Sequence, residues 1–217
     1  MGTLDRQPDS THRIVHAHHA AYFYETEDYL IDAACRFLGT GFVAGEPAIL
    51  IATPAHRDRV EGHFRNLGID LERVAKDGRW VSLDAAAALE QFMVEGRPNA
   101  IRFATVMGEA LAETQSYNGQ QVRAFGEMVA LLWAEGNATG ALELEGLWND
   151  LAQTSSFSLL CAYPLAGFRV GIDEGRFLEV CGAHARLDAV EGDTTGRAAH
   201  ERWRSLARLR HADLART

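Results

Sequence analysis

Several features that identify common protein classes are missing from this sequence of 217 residues. No apolar run approaches the roughly 18 residues of a membrane helix, and we find no secretory segment and no internal repeat. Its three cysteines, Cys35, Cys161 and Cys181, are scattered and odd in number, which indicates a reduced, cytoplasmic setting rather than a disulfide scaffold. Basic charge is also scarce. A net charge of −9 argues against direct binding to nucleic acid or to an anionic membrane.

What the sequence does contain is enough apolar material, 47% of its residues, for one sizeable core. Residues 48–52 form a short, continuous apolar run, which is typical of a strand buried on both faces. The next segment places Val60, Phe64 and Leu67 on one helix face, and a second short strand follows at 81–83. Helix, buried strand, helix and strand in this order predict an α/β fold with a mostly parallel central sheet flanked by helices.

The remaining chain continues the same alternation. The second half of the segment 14–24 predicts the first strand, and Thr26 or Asp28 can cap the helix after it. Further expected elements are a helix at 85–93, a helix at 101–114, a strand from 121 that runs into a helix, a helix at 141–153, a strand at 157–163 and a last element at 177–184. Residues 190–199 are typical of a linker, and an arginine-rich helix or tail is expected at 202–214.

Polar and aromatic residues stand where the predicted strands end. The ends of parallel strands meet at one edge of an open sheet, where ligands usually bind, so Tyr24, Glu25, Thr53, Glu127 and Tyr163 are expected there. Aromatic rings with a few polar groups suit a small, weakly polar ligand. Glu127 has an equally simple structural explanation, because a carboxylate is favoured at the start of a helix. Gly126, directly before it, would let the backbone turn sharply or a ligand approach.

Histidine and cysteine residues raise the question of a metal site. His16 and His18 share one face of the predicted first strand, but we interpret them as strand-edge residues because their spacing alone is a weak signal. Cys181 and His184 are spaced to share a helix turn, which fits either a metal pair or a buried thiol beside a helix-terminal histidine. Cys161 is interpreted as a small buried apolar residue. No metal ligand and no catalytic residue is assigned.

Four phrases of the sequence resemble RecA-like ATPases of the KaiC kind: Phe37-Leu38, Gly41-Phe42, Gly45-Glu46 and Leu67-Gly68-Ile69-Asp70. The resemblance implies a phosphate-binding loop just before residue 30, but residues 22–29 contain no glycine and no lysine and carry three acidic side chains. It also implies that the strand at 157–163 lies between the first strand and the strand at 121–126. We therefore expect a RecA-like scaffold without its phosphate-binding loop.

A more specific resemblance covers residues 15–187. It is carried by His19 with Phe23-Tyr24-Glu25, by Gly45-Glu46, by the segment 123–128, by Leu147-Trp148-Asn149, by the segment 158–164 and by Val180-Cys181 with His184. This combination resembles the MEDS domain, a family named after methanogens, methylotrophs and a dichloromethane-responsive regulator. The family is regarded as a degenerate KaiC-like domain that senses simple hydrocarbon derivatives, alone or joined to histidine kinase, anti-sigma or DNA-binding modules. None of these modules is found in the remaining residues, 188–217.

The resemblance implies a stand-alone sensory domain of prokaryotic signal transduction, without catalysis, whose output passes through a signalling partner such as a histidine kinase or an anti-sigma module. The ligand-binding residues that we expect are His19, Tyr24, Glu25, Arg123, Glu127, Tyr163, Cys181 and His184. The ligand and any cofactor are not identified, and self-association remains open. Two alternatives are a nucleotide-binding protein with a nonstandard RecA-like site and a pure protein-interaction scaffold.

Overall fold

The computed structural model of the chain describes residues 18–115, 120–168, 174–184 and 186–189. Its strands are β1 (His18–Tyr24), β2 (Ala48–Ala52), β3 (Trp80–Asp84), β4 (Met93–Val94), β5 (Arg97–Pro98), β6 (Val122–Gly126), β7 (Phe157–Pro164) and β8 (Arg186–Ala189). Its helices are α1 (Glu27–Ala44), α2 (Pro54–Asn66), α3 (Leu71–Lys76), α4 (Ala85–Phe92), α5 (Ala100–Gln115), α6 (Met128–Ala134), α7 (Ala138–Ala152) and α8 (Glu174–Ala183). A single 3-10 turn, Leu165–Gly167, follows β7.

The main sheet has six strands in the order β3-β2-β6-β7-β1-β8, and all its neighbouring pairs are parallel. This confirms the predicted α/β fold with a parallel central sheet flanked by helices. As expected, β7 lies between β1 and β6. The short strands β4 and β5 form a separate antiparallel hairpin, which the sequence did not predict.

Helices cover both faces of the sheet, so the side chains on both faces of the central strands are buried. Ala48, Leu50 and Ala52 of β2 pack with apolar residues of α1, α2 and α3. Ile49 and Ile51 point the other way, into a larger core that α4, α5, α6, α7 and α8 complete. Every residue of β2 is buried, which explains why it reads as an unbroken apolar run.

The helix ends follow from local chemistry. The Thr26 side chain accepts a hydrogen bond from the Tyr29 N–H at the start of α1, and Asp84 accepts from the N–H groups of Ala86 and Ala87 at the start of α4. Gly45 ends α1 in the left-handed conformation, with φ of 79°, where glycine is favoured.

Three expectations need correction. The segment 177–184 is not the last element, because β8 pairs in parallel with β1 beyond it. Leu67 is not on the buried face of α2, since the helix ends at Asn66 and the Leu67 side chain is exposed. Gly126 does not have a positive φ, and an added Cβ would meet only a Leu159 methyl at 3.9 Å, so the backbone does not require glycine there.

Some predictions fall outside the described residues. These are the interpretation of His16 and of the His18 side chain, the linker expected at 190–199 and the arginine-rich helix or tail expected at 202–214. No helix in the described part of the chain is long and apolar enough to cross a bilayer.

Candidate functional site

Polar side chains from several elements meet at the carboxyl edge of the sheet. We call Tyr24, Glu27, Thr53, His56 and Glu127 the edge cluster. Glu127 follows β6, and its carboxylate is almost fully buried. Its Oε2 accepts a hydrogen bond from the Thr53 N–H at 2.9 Å, and its Oε1 lies 2.5 Å from Nδ1 of His56. Glu127 therefore joins the end of β6 to the turn between β2 and α2.

His56 connects this buried carboxylate to the surface. Because Glu127 accepts at Nδ1, the other ring nitrogen, Nε2, points towards the rim, where it lies 3.8 Å from the exposed Glu27 carboxylate. The hydrogen bond that His56 donates to Glu127 raises the pKa of His56, against the opposing effect of burial. Burial, with the charges of Glu127 and Glu27, raises the pKa of the nearby Tyr24 phenol. The edge cluster thus offers an imidazole and a neutral phenol beside a buried carboxylate.

The connection from β1 to α1 at this edge consists of only Glu25 and Thr26. The first turn of α1 then adds Glu27 and Asp28, and both carboxylates contact Arg59 of α2. A phosphate-binding loop needs a run of free backbone N–H groups and a cation that reaches the phosphates. Two residues leave no room for such a loop, and the local charge repels an anion.

A second group of polar side chains is buried on the face of the sheet that α7 covers. We call His19, Glu145, Cys161, Tyr163 and His184 the inner cluster, and all five side chains are buried. Nε2 of His19 lies 2.8 Å from Glu145 Oε2 and 3.4 Å from Cys161 Sγ. The Tyr163 hydroxyl donates to Glu145 Oε1. The Cys161 thiol lies 3.6 Å from Glu145 Oε2.

His184 completes the inner cluster from the residue after α8. Its ring stacks at a tilt on the His19 ring, with centroids 4.3 Å apart. Its Nε2 lies 3.2 Å from Glu145 Oε1 but is not aligned for a hydrogen bond, so this buried nitrogen has no hydrogen-bond partner. The end of α8 is therefore held against the sheet by a contact between charged or chargeable groups.

The charge of Glu145 dominates the electrostatics of the inner cluster. Burial alone would raise the pKa of Glu145, but His184 and His19 hold it well below its ordinary value. Burial lowers the pKa of His184, and the Glu145 charge more than offsets this, so the net shift is upwards. Burial and Glu145 together raise the pKa values of Cys161 and Tyr163 well above their ordinary values. The Cys161 thiol is thus a poor nucleophile unless a cation stabilises its thiolate.

Strand alternation explains how the sequence builds the inner cluster. His19 in β1 and Cys161 and Tyr163 in β7 all face the side of the sheet that α7 covers. Glu145 lies on the apolar face of α7, between Leu144 and Trp148, and is fully buried. A carboxylate inside an apolar helix face is the signal in the sequence that could have predicted this buried group. Treating Cys161 as an apolar residue overlooked its polar contacts.

The structure divides the predicted ligand-binding residues among several places. Tyr24 and Glu127 lie together in the edge cluster, with the half-buried Glu25 next to Tyr24 in the chain. His19, Tyr163 and His184 lie together in the inner cluster, so Tyr163 does not point to Glu127 as expected.

Arg123 and Cys181 lie in neither cluster. Arg123 is the second residue of β6, at the opposite edge of the sheet from Glu127, and it pairs with Glu46 and packs over the Phe37 ring. Cys181 is half-buried on α8, and burial raises its pKa to about 11. The inner cluster combines His184 with Cys161 rather than with Cys181.

Four side chains of the inner cluster carry atoms that bind transition metals. The ligand atoms of His19, Glu145, Cys161 and His184 all lie within 4.8 Å of one another. Two imidazoles, a thiol and a carboxylate form a donor set that suits zinc and related divalent ions. The edge cluster offers one imidazole and carboxylates, which suit a hydrogen-bonded ligand.

Comparison with known proteins agrees with this fold and adds a family. Residues 18–185 match the family described as MEDS, the methanogen/methylotroph, DcmR sensory domain. Among solved structures, an uncharacterized protein from Pyrococcus horikoshii, in complex with an unknown peptide, is similar with a TM-score of 0.52 and 11% identity. The similarity covers 81% of this chain and 78% of that chain, and at this identity it concerns the fold alone. No significant match is found among curated proteins.

Proposed function

Because the chain belongs to the MEDS family of sensory domains, we propose that it is a small-molecule sensor whose ligand binds at the edge cluster. The observation that carries this proposal is the buried Glu127 carboxylate, which holds His56 at the carboxyl edge of a parallel sheet. This edge is where open α/β sheets usually bind ligands. Glu127 would act through His56, by fixing its orientation and keeping a proton available on the ring.

The chemistry of the edge cluster favours a small, uncharged and weakly polar ligand. Protonated His56 offers an N–H at Nε2 and Tyr24 offers a phenolic hydroxyl, and each can donate a hydrogen bond to an acceptor atom of a ligand. Glu25, Glu27 and Asp28 disfavour anions. Short alcohols, ketones and haloalkanes fit these requirements, in agreement with the simple hydrocarbon derivatives that the family resemblance implies.

The nucleotide-binding alternative is weaker at this site. The two-residue connection between β1 and α1 offers no phosphate loop, and the carboxylates of α1 oppose a triphosphate. We therefore expect no phosphate release from ATP and no catalysis. Output would pass to a signalling partner such as a histidine kinase or an anti-sigma module. The relationship to KaiC stays a prediction. The position of β7 between β1 and β6 supports it.

The first prediction concerns ligand affinity. A panel of short alcohols, ketones and haloalkanes, with ATP as the anionic comparison, is titrated into the full chain by ligand-observed NMR. At least one neutral compound should bind saturably. Glu127→Gln and His56→Gln should each weaken it by about 10–100-fold, since a hydrogen bond to a charged group contributes about 1.5–3 kcal/mol.

Glu46→Gln is the matched control, because Glu46 pairs with Arg123 at the other edge of the sheet. Its affinity for the panel should equal that of the wild type. Unchanged binding in both Glu127→Gln and His56→Gln would show that the ligand binds outside the edge cluster. Binding of ATP with no neutral ligand would favour the nucleotide alternative, and a stable oligomer that binds nothing would favour the interaction scaffold.

A further inference from the structure

We propose that the inner cluster is a buried site for one divalent transition-metal ion of the zinc class, with His19, Glu145, Cys161 and His184 as its ligands. The four ligand atoms lie within 4.8 Å of one another, and all four side chains are buried. This site lies on the opposite face of the sheet from the edge cluster. The proposal uses none of the edge-cluster residues, so it does not rest on the proposed sensing function.

The hydrogen bonds of the two histidines prepare them as metal ligands. Asn149 donates its Nδ2–H to the Ala183 carbonyl at 2.9 Å, which fixes its oxygen towards His19. That oxygen must accept from Nδ1–H of His19, at 2.9 Å. The Val180 carbonyl accepts in the same way from Nδ1–H of His184, at 2.7 Å. In both neutral rings the lone pair is then on Nε2, and both Nε2 atoms face Glu145.

In this arrangement the Nε2 lone pairs of two neutral imidazoles face the oxygens of one buried carboxylate. Two nitrogen lone pairs directed at carboxylate oxygens repel them, unless each nitrogen is protonated or a cation lies between. Nε2 of His19 and Oε2 of Glu145 lie 2.8 Å apart, within hydrogen-bond distance. Nε2 of His184 has no such aligned partner although it is buried. A metal ion would satisfy both nitrogens and the carboxylate together.

Distances and charge both fit a tetrahedral ion. Ligand atoms around zinc lie about 3.3–3.7 Å apart, given metal–ligand distances of about 2.0–2.3 Å. Two observed separations fall in this range, 3.4 Å for His19 Nε2–Cys161 Sγ and 3.6 Å for Cys161 Sγ–Glu145 Oε2. The contact of His19 Nε2 with Glu145 Oε2, at 2.8 Å, would have to widen, and separations near the 4.8 Å limit of the set would have to narrow. One thiolate and one carboxylate neutralise a divalent ion, which suits a site without water access.

The outer contacts resemble those of known metal sites in kind. Carbonyl or amide oxygens hold the Nδ1–H of both histidines, and the Tyr163 hydroxyl donates to the second oxygen of Glu145. Binding would form a sulfur–metal bond and release the Cys161 proton to solvent. The ion would link β1, β7 and α7 to the residue that follows α8, and so fix the C-terminal part of the domain.

The test uses the full chain without a polyhistidine tag. Metal content is measured by mass spectrometry of the elements, and the chelator-treated, reduced protein is then titrated with Co²⁺ alone. We expect one Co²⁺ per chain, with the thiolate charge-transfer band and the ligand-field bands of a tetrahedral site, and displacement by Zn²⁺. Absence of saturable Co²⁺ binding in the wild type would overturn the proposal without recourse to any variant.

Variants then locate the site. Cys161→Ser should lose the thiolate band, whereas Cys35→Ser and Cys181→Ser should keep it, because these cysteines lie outside the ligand set. If Cys161→Ser does not fold, Asn149→Ala serves instead and should weaken Co²⁺ binding by about 10–100-fold. A band that survives in Cys161→Ser and disappears in Cys181→Ser would contradict the assignment. Glu127→Gln should bind the ion normally, which separates this result from the ligand titration.

Discussion

At the scale of single residues, Glu145 is the centre of the inner cluster. It is fully buried and lies within contact distance of two histidines, a thiol and a phenol. A buried carboxylate without such partners would be strongly disfavoured, because removing a charge from water costs several kcal/mol. Its charge is therefore kept by the surrounding donors, and each donor in turn depends on that charge.

Loss of the Glu145 charge should destabilise the protein. In the presence of a chelator, Glu145→Gln should lower the free energy of unfolding by about 3–5 kcal/mol, since it leaves a protonated histidine buried without its anion. Urea denaturation measures this change. Glu143→Gln is the control on the same helix, where Glu143 pairs with the exposed Arg97, and it should change stability by less than about 1 kcal/mol. Equal effects of the two substitutions would show that the buried charge of Glu145 stabilises the protein no more than an exposed one.

His56 contributes to the stability of the folded protein in a pH-dependent way. Its pKa is raised in the folded protein, so this stabilisation is fully present below the unfolded pKa of about 6.5 and is lost as pH rises through the folded pKa. An NMR titration of the His56 ring should give a pKa above that reference. In Glu127→Gln the pKa should fall, because burial then acts without the carboxylate. A wild-type pKa below the reference would contradict the Glu127–His56 geometry.

At the scale of elements, the strand ends place the edge cluster and helix caps define where the helices begin. Asp84 ends β3 and accepts two N–H groups at the start of α4. Asp84→Ala should therefore cost about 1 kcal/mol of stability, within the range of about 0.5–2 for lost caps. Thermal unfolding measures the loss. Asp84→Asn keeps an accepting oxygen and should recover most of it; failure of this recovery would mean that the cap is not the cause.

The central elements could be predicted from sequence, and some peripheral ones could not. β2 is an unbroken apolar run because all its residues are buried, and the faces of α1 and α5 show a helical period because one side of each helix is buried. Within the described residues, β8 lies at the edge of the sheet beside β1, so its four residues need not be uniformly apolar. The β4–β5 hairpin is two residues per strand and leaves no periodic pattern at all.

The candidate site was predictable only in part, for a related reason. Strand ends place Tyr24 and Glu127 at one edge, which local pattern and parallel topology together imply. The partner of Glu127 on α2, His56, and the inner carboxylate, Glu145, depend on how two helices pack against the sheet. Contacts across 71 and 130 residues, such as His56–Glu127 and His19–Asn149, leave no trace in sequence spacing.

At the scale of the whole molecule, one strand carries residues of both clusters. Tyr24 and His19 lie in β1 but face opposite sides of the sheet, and β8, the edge strand after α8, pairs with β1 directly. A ligand at the edge cluster could bias the C-terminal part of the domain only if it binds two arrangements of these elements with different affinity. We expect the metal ion, where bound, to restrict that part to one arrangement.

The central claim is that a small neutral molecule is sensed at the edge cluster, and amide NMR of the full chain tests it most directly. Addition of the short alcohols, ketones and haloalkanes should produce saturable shifts of the Thr53, His56 and Glu127 amides for at least one compound. The same shifts should disappear in Glu127→Gln and persist in Glu46→Gln. If no compound shifts these amides, or if the saturable shifts map only to other parts of the chain, the edge cluster is not the sensing site.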